Sequence, residues 1–279
     1  MTAVDLAPGR TGDTRPAGAL NRASAVGLGV TMTWFSLLVL IPLAAVVATA
    51  AGGGIDGFWR AVTNEQTAHA IRLTVISALV VTAINVVAGT AIAWVLVRDA
   101  FPGKALLELV IDIPFALPTI VAGLVLLALY GSDDSPLGVD VANTGTSVYL
   151  AFLFVTLPFV VRTVQPVLEE MEPEVEEAAA SLGAGRRTIF TRIILPTLTP
   201  AIAAGATLSF ARGVGEYGSL VLLSGNLPFE SEVASVRIMS AIENDNPAAA
   251  ASIATVLLIV SLLVILLLDV VQRRVARRA

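Results

Sequence analysis

Long apolar runs separated by short polar stretches dominate the chain, and their lengths predict membrane-crossing helices. A helix needs roughly 20 mainly apolar residues to cross about 30 Å of hydrocarbon at 1.5 Å per residue. Six segments meet that requirement: 26–50, 71–97, 109–130, 146–167, 200–223 and 248–271. Pro42, Pro114, Pro118 and Pro158 interrupt these runs, and the backbone groups they free have to be satisfied inside a helix bundle, since lipid offers no partner. The expectation is an all-α polytopic membrane protein with about six transmembrane helices.

Composition agrees with the pattern. Of 279 residues, 56% are hydrophobic and only 14% charged, with a mean hydropathy of +0.84, which a soluble domain of this length does not tolerate at its surface. Membrane lipid is therefore an expected partner. A net charge of −5 argues against nucleic acid as one. With no cysteine, disulfides and thiolate metal sites are excluded. His69 is the single histidine and has no second ligand near it in sequence, so it reads as an interfacial residue and no metal site is expected. No catalytic residues are expected either: Asp112 and Asp269 read as residues anchoring helix ends, not as a paired intramembrane acid site.

Residues 1–25 are Pro/Gly/Thr-rich, carry Arg10, Arg15 and Arg22, and read as a disordered arm. The first apolar run lacks a cleavage pattern and reads as a retained anchor. Residues 26–271 form the transmembrane domain, and 272–279 a basic tail. Lysine and arginine mark the cytoplasmic side. Arg10, Arg15 and Arg22, then Arg98 and Lys104, then Arg186, Arg187 and Arg192, then Arg273, Arg274, Arg277 and Arg278 all fall on one side of the six-span arrangement. The other side receives Arg60, Arg72 and Arg237, and a loop with Asp133, Asp134 and Asp140. Both termini are expected in the cytoplasm.

The polar segment 172–200 lies on that same side. Glu172-Pro173-Glu174 suits a helix start, with proline in the first turn and carboxylates at the positive end of the helix dipole. A short helix over 174–182 presents Ala178, Ala179 and Ala180, and Gly183 closes it. Gly183 and Gly185 permit a sharp turn into a second short helix with an apolar stripe of Phe190, Ile193 and Ile194, before Pro196 and Pro200 return the chain to the membrane. Such a segment serves either as a plain interfacial connector or as a docking element for a soluble partner.

The layout Glu177-Ala178-Ala179, Gly183, Phe190, Ile193, Leu195-Pro196 and Pro200 resembles the EAA motif of ABC importer permeases. The resemblance implies the MetI-like permease fold in a bacterial cytoplasmic membrane, and contact with a separate ATPase through Glu177, Ala178, Ala179, Gly183, Ala184, Phe190, Leu195 and Pro196. No G-x-x-x-x-G-K-[ST] phosphate loop occurs in the chain, so ATP and Mg are expected on the partner ATPase and no cofactor on this subunit.

Three longer stretches narrow the likeness: 113–119 (IPFALPT), 158–170 (PFVVRTVQPVLEE) and 210–219 (FARGVGEYGS), joined by Ser224-Gly225-Asn226. Over roughly residues 25–270 the chain is similar to oxyanion permeases, and most of all to the T-type permease of sulfate/thiosulfate importers. That resemblance implies a homologous second permease, an ABC ATPase dimer and an extracytoplasmic sulfate/thiosulfate-binding protein. Molybdate and tungstate permeases share Gly-Glu-aromatic-Gly and form the alternative. A passive anion channel is a further alternative, but needs neither docking segment nor ATPase.

Within the fifth run, Arg212 and Glu216 stand four apart, on one face of a helix. Ionisable groups inside a span are functional candidates by default. The pair reads either as a structural salt bridge or as part of the translocation path or gate. Gly215 and Gly218 beside it allow close backbone approach, and freed N–H groups can meet an oxyanion.

Overall fold

The structure, a computed structural model, describes residues 21–131, 135–136 and 138–276. Most of the expected arm, the acids Asp133 and Asp134, and Arg277 and Arg278 lie outside the described residues. The chain forms two compact units, 1–45 and 46–279.

Helix α1 (Arg22–Phe35) runs through a π-helical turn (Ser36–Leu40) into α2 (Ile41–Gly52), and the boundary between the units falls within α2. Helix thus begins inside the stretch expected to be a disordered arm. Thr31 and Thr33 donate their hydroxyls to the carbonyls of Gly27 and Gly29 (2.9 and 2.8 Å), so neither polar group faces an apolar environment unpaired. The π turn has a local cause. Pro42 has no N–H to donate four residues back, and immediately before it the Ile41 N–H reaches Ser36 O instead, five residues back.

After the end of α2, the second unit runs into α3 (Gly54–Thr63) and α4 (Glu65–Arg98), whose start Asn64 caps by accepting from Gln66 N and Thr67 N (3.1 and 3.2 Å). It continues with α5 (Lys104–Ala116), α6 (Thr119–Tyr130), α7 (Gly145–Glu169), α8 (Pro173–Ser181), α9 (Arg186–Ile189), α10 (Leu195–Val214), α11 (Gly218–Leu223), α12 (Ala234–Glu243) and α13 (Pro247–Ala276). Helices α4, α7 and α10 pack mutually as the centre, with α13 against α10 and α12, α5 against α7, and α11 against α6.

Two spans differ from expectation. The run 109–130 is not one helix: α5 and α6 meet at a 120° bend. Pro118 pushes Leu117 into extended geometry (φ −85°, ψ 135°), where the helix cannot continue. Among the described residues five helices are long and apolar enough to cross a membrane, and the sixth run is this bent pair. The fifth span covers Arg186–Val214, not 200–223. No second short helix stands apart and no proline resets the chain: α9 passes through a π turn (Phe190–Ile194) directly into α10. Pro196 is absorbed as Pro42 is, with Leu195 N–H bonding to Phe190 O.

Two apolar clusters fill much of the core, with a buried polar link between them in which Asn85 Nδ2 donates to Thr156 Oγ1 (2.8 Å). Phe152 and Phe210 are fully buried in one cluster, and Leu96, Val160, Val164 and Leu198 in another. Glycine permits the central contact. A Cβ on Gly89 of α4 would lie 2.9 Å from the Val160 side chain, and one on Gly205 of α10 2.9 Å from Val160 Cα, so α7 is gripped on both sides by bare backbone.

Candidate coupling segment and intramembrane ion pairs

Helix α8 starts with Pro173 at its first turn and Glu174 and Glu176 near its positive end. Its end is closed twice. Gly183 N donates to Ala180 O (2.9 Å) and Ala184 N to Ala179 O (3.0 Å), the paired 5→2 and 6→1 bonds that need a left-handed residue between them. Gly183 supplies it, at φ +88°.

This closure sorts the sequence-predicted residues into two sets. Ala179 and Ala184 turn inward and pack against the cluster containing Ile189 and Leu168. Glu177 and Ala178 face out. Phe190, Leu195 and Pro196 belong to the rod of the fifth span; the Phe190 ring stands edge-on to Trp94 of α4 at 5.9 Å. Arg98, in the last turn of α4, pairs with Glu176 of α8 and lies 5.3 Å from the Trp94 ring centre. Sequence reasoning took Arg98 only as a marker of orientation and passed over Trp94, Glu176 and Leu182. Leu182 is 90% exposed at the tip of the turn, an apolar side chain that nothing among the described residues covers. An exposed leucine beside a glycine closure is the sequence signal for it.

Arg212 and Glu216 do come together, though not on one helix. Helix α10 ends at Val214, and Glu216 sits in the break before α11. Arg212 Nη1 lies 2.7 Å from Glu216 Oε2, off the line of an aligned hydrogen bond, so the contact is one of charge. The other oxygen, Oε1, accepts from Ser219 N and Oγ (3.0 and 2.9 Å), and the Glu216 carbonyl accepts from Ser235 Oγ (2.6 Å). The carboxylate side chain is fully buried and that of Arg212 is 31% exposed. Gly215 caps α10 and is exposed. Gly218 abuts the start of α6: a Cβ there would fall 2.2 Å from Thr119 Oγ1 and 2.9 Å from Ile120 N. Gly123 of α6 meets Ser219 in the same way, 2.6 Å from its carbonyl oxygen. The two helices that follow the two breaks in the bundle are therefore packed backbone on backbone, with Glu216 at their junction.

A second ion pair corrects the reading of Asp112 as an end anchor. Arg162 of α7 reaches α5 and donates to both Asp112 oxygens, Nε at 2.8 Å and Nη2 at 2.5 Å, while Nη1 donates to Gln165 Oε1 (2.7 Å). Gln165 passes the chain to Glu169 (2.9 Å). Asp269 does behave as an end residue, pairing with Arg273 one turn on (2.8 Å). His69 sits 6.0 Å edge-on from Phe229, an aromatic neighbour and not a ligand set.

This arrangement of helices has known counterparts. Residues 85–279 match the family described as binding-protein-dependent transport system inner membrane component. The chain belongs to this family. It is 41% identical over 259 residues, covering 91% of this chain and 94% of the relative, to the sulfate transport system permease protein CysT of Escherichia coli (strain K12). It is 44% identical over 227 residues, 79% of each chain, to the protein of that name in Synechocystis sp. (strain ATCC 27184 / PCC 6803 / Kazusa). Among solved structures, a bacterial alginate ABC transporter in complex with an alginate pentasaccharide-bound periplasmic protein aligns with a TM-score of 0.72, covering 90% of this chain and 94% of the other at 16% identity. The MetNI methionine ABC transporter in inward-facing conformations aligns at 0.53, covering 75% of this chain and 94% of the other, also at 16% identity. At that identity the two structures speak for the fold alone, and it is the ABC importer permease fold. The chain is a multi-pass inner membrane component.

Proposed function

We propose that this chain is the permease subunit of an ATP-driven importer of sulfate and thiosulfate, forming the translocation path and coupling it to a separate ATPase. The observation that carries this reading is identity above 40% to sulfate permeases across nearly the whole length of the chain. The outward face of α8 supports the coupling half: Glu177, Ala178 and Leu182 are exposed just ahead of the Gly183 turn, a surface for which a passive channel has no use. We assign no reaction to the chain itself. ATP and Mg belong to an ABC ATPase dimer docked on α8, beside a homologous second permease, and the anion arrives on an extracytoplasmic binding protein.

In this arrangement both termini and segment 172–200 face the cytoplasm, with residues 1–25 as an arm and 272–279 as a basic tail. Arg212, Gly215, Glu216 and Gly218 border the path or its gate. The test is reconstitution: the chain is co-purified with its ATPase and second permease, placed in liposomes with the binding protein, and assayed for ATP-dependent uptake of labelled sulfate, thiosulfate and molybdate. Sulfate uptake that requires ATP is the expected result. Uptake of molybdate with sulfate ignored would move the assignment to the molybdate class.

A further inference from the structure

A cavity of about 560 Å³ opens among α3, the start of α4, α12 and the start of α13. Its polar lining includes Arg60, Asn64, Thr67, Arg237, Asn244 and Ser252, and no carboxylate contributes to it. The acids Glu243 and Asp245 flank Asn244 in sequence, yet neither lines the space. Both guanidiniums are held by one nitrogen only: Arg60 Nε donates to Asp56 O (3.3 Å) and Arg237 Nε to Thr67 Oγ1 (3.4 Å). Neither forms an ion pair among the described residues, which distinguishes them from Arg98, Arg162, Arg212 and Arg273. Two unneutralised guanidiniums beside amide and hydroxyl groups, with no acid, make a site for an anion.

The location sharpens this. Thr67, in the first turn of α4, lines the cavity, whereas Arg98, in its last turn, holds the coupling helix α8. Along α4 (Glu65–Arg98) the two stand about 46 Å apart at 1.5 Å per residue. The cavity therefore opens at the end of the bundle opposite α8.

We propose that it is an entry site for a tetrahedral oxyanion on the permease itself, occupied as the anion passes into the bundle. The identity of the anion rests on the proposed function; the site rests on its lining. Its size sets the mode of binding. The space holds more than about ten waters at roughly 30 Å³ each, so the anion enters with much of its hydration shell. Binding of this kind is weak and fast, which a passing site requires and a storage site does not.

The test exploits the absence of cysteine. Ala249→Cys puts one thiol in the cavity wall and removes no polar group. In the full complex in lipid nanodiscs, the thiol should react about tenfold faster with an anionic methanethiosulfonate than with a cationic one, because the arginines concentrate anions locally. Inorganic sulfate should slow the reaction more than gluconate at matched ionic strength. Adding Arg60→Gln and Arg237→Gln should abolish both effects, and Arg60→Lys with Arg237→Lys should keep the reagent preference. Equal slowing by sulfate and gluconate, or sulfate protection that survives the double glutamine change, overturns the proposal. Should the double variant fail to assemble, the sulfate-against-gluconate comparison in the Ala249→Cys chain alone decides. The two readings separate cleanly: ATP-driven sulfate uptake without protection rejects the cavity and leaves the function, while protection without uptake does the reverse.

Discussion

Arg98 closes the end of α4 by gripping Glu176 of α8, with Trp94 one turn earlier placed between that guanidinium and the Phe190 ring. This ion pair ties α8 to the last turn of the central helix α4, alongside the packing of Ala179 and Ala184. Both side chains are about a quarter exposed, so the pair is neither fully desolvated nor freely screened.

Loss of this contact should loosen α8 without unfolding the spans. Glu176→Gln is expected to weaken the seating of α8 by on the order of 1–3 kcal/mol, as for a hydrogen bond to a charged group. Uptake should fall while ATP hydrolysis by the assembled complex becomes less dependent on the binding protein. The reversed pair, Arg98→Glu with Glu176→Arg, should recover part of the coupling; recovery no better than in either single variant would deny the pair its positioning role.

Gly183 occupies the left-handed region that its neighbours' hydrogen bonds require. A side chain there costs about 1–2 kcal/mol, and a branched one more. Gly183→Val should therefore insert and accumulate normally yet lose the ATPase on purification. Normal transport by a stably made Gly183→Val chain would remove this turn from the coupling machinery.

Single neutralisation of Arg212 or Glu216 leaves one charge exposed to an apolar surrounding and should impair assembly by several kcal/mol. The informative variant is Arg212→Met with Glu216→Leu, because matched apolar residues can replace a buried pair. It is expected to assemble and to remain inactive or hydrolyse ATP without control. Full, regulated uptake would make the pair purely structural.

The α6–α11 contact tolerates no methyl group at Gly123, where the obstacle is the Ser219 backbone and cannot swing aside. Gly123→Ala should lower thermal stability by about 1–3 kcal/mol or misplace α11, in the range of overpacked cores. Gly29→Ala is the control, with nothing near its added carbon. Equal melting temperatures for the two variants would mean that α6 and α11 separate at no cost.

Orientation is open to direct labelling in this cysteine-free chain. Asp140→Cys should react with an impermeant maleimide from outside the cell and Arg187→Cys only after permeabilisation, both positions being exposed. Reaction of both from one side would reject the arrangement with cytoplasmic termini.

Span number and the glycine turn at the end of α8 were legible because each rests on one local rule: about twenty apolar residues for a crossing, and glycine for a left-handed cap. Span shape was not. Hydropathy alone does not distinguish Leu117-Pro118, which turns the chain by 120°, from Ile194-Leu195-Pro196, through which the helix continues by widening one turn. The difference lies in the residue before the proline, extended in one case and helical in the other, and tertiary packing chooses between them. Pairings across helices were likewise hidden. Asp112 and Arg162 are 50 residues apart, and nothing in either neighbourhood names the other.

The continuity of residues 186–214 has a mechanical meaning. A helix of 29 residues is a rod about 43 Å long, and a tilt of about 5° at one end sweeps the other through about 4 Å. Its near end follows directly on the Gly183 turn, and its far end carries Arg212 two residues before the break. A small push at the near end thus becomes, by leverage alone, a displacement of the far end wider than the Arg212 to Glu216 contact itself, and the π turn at Phe190–Ile194 is the one wound-open coil along the shaft where that stroke can be taken up.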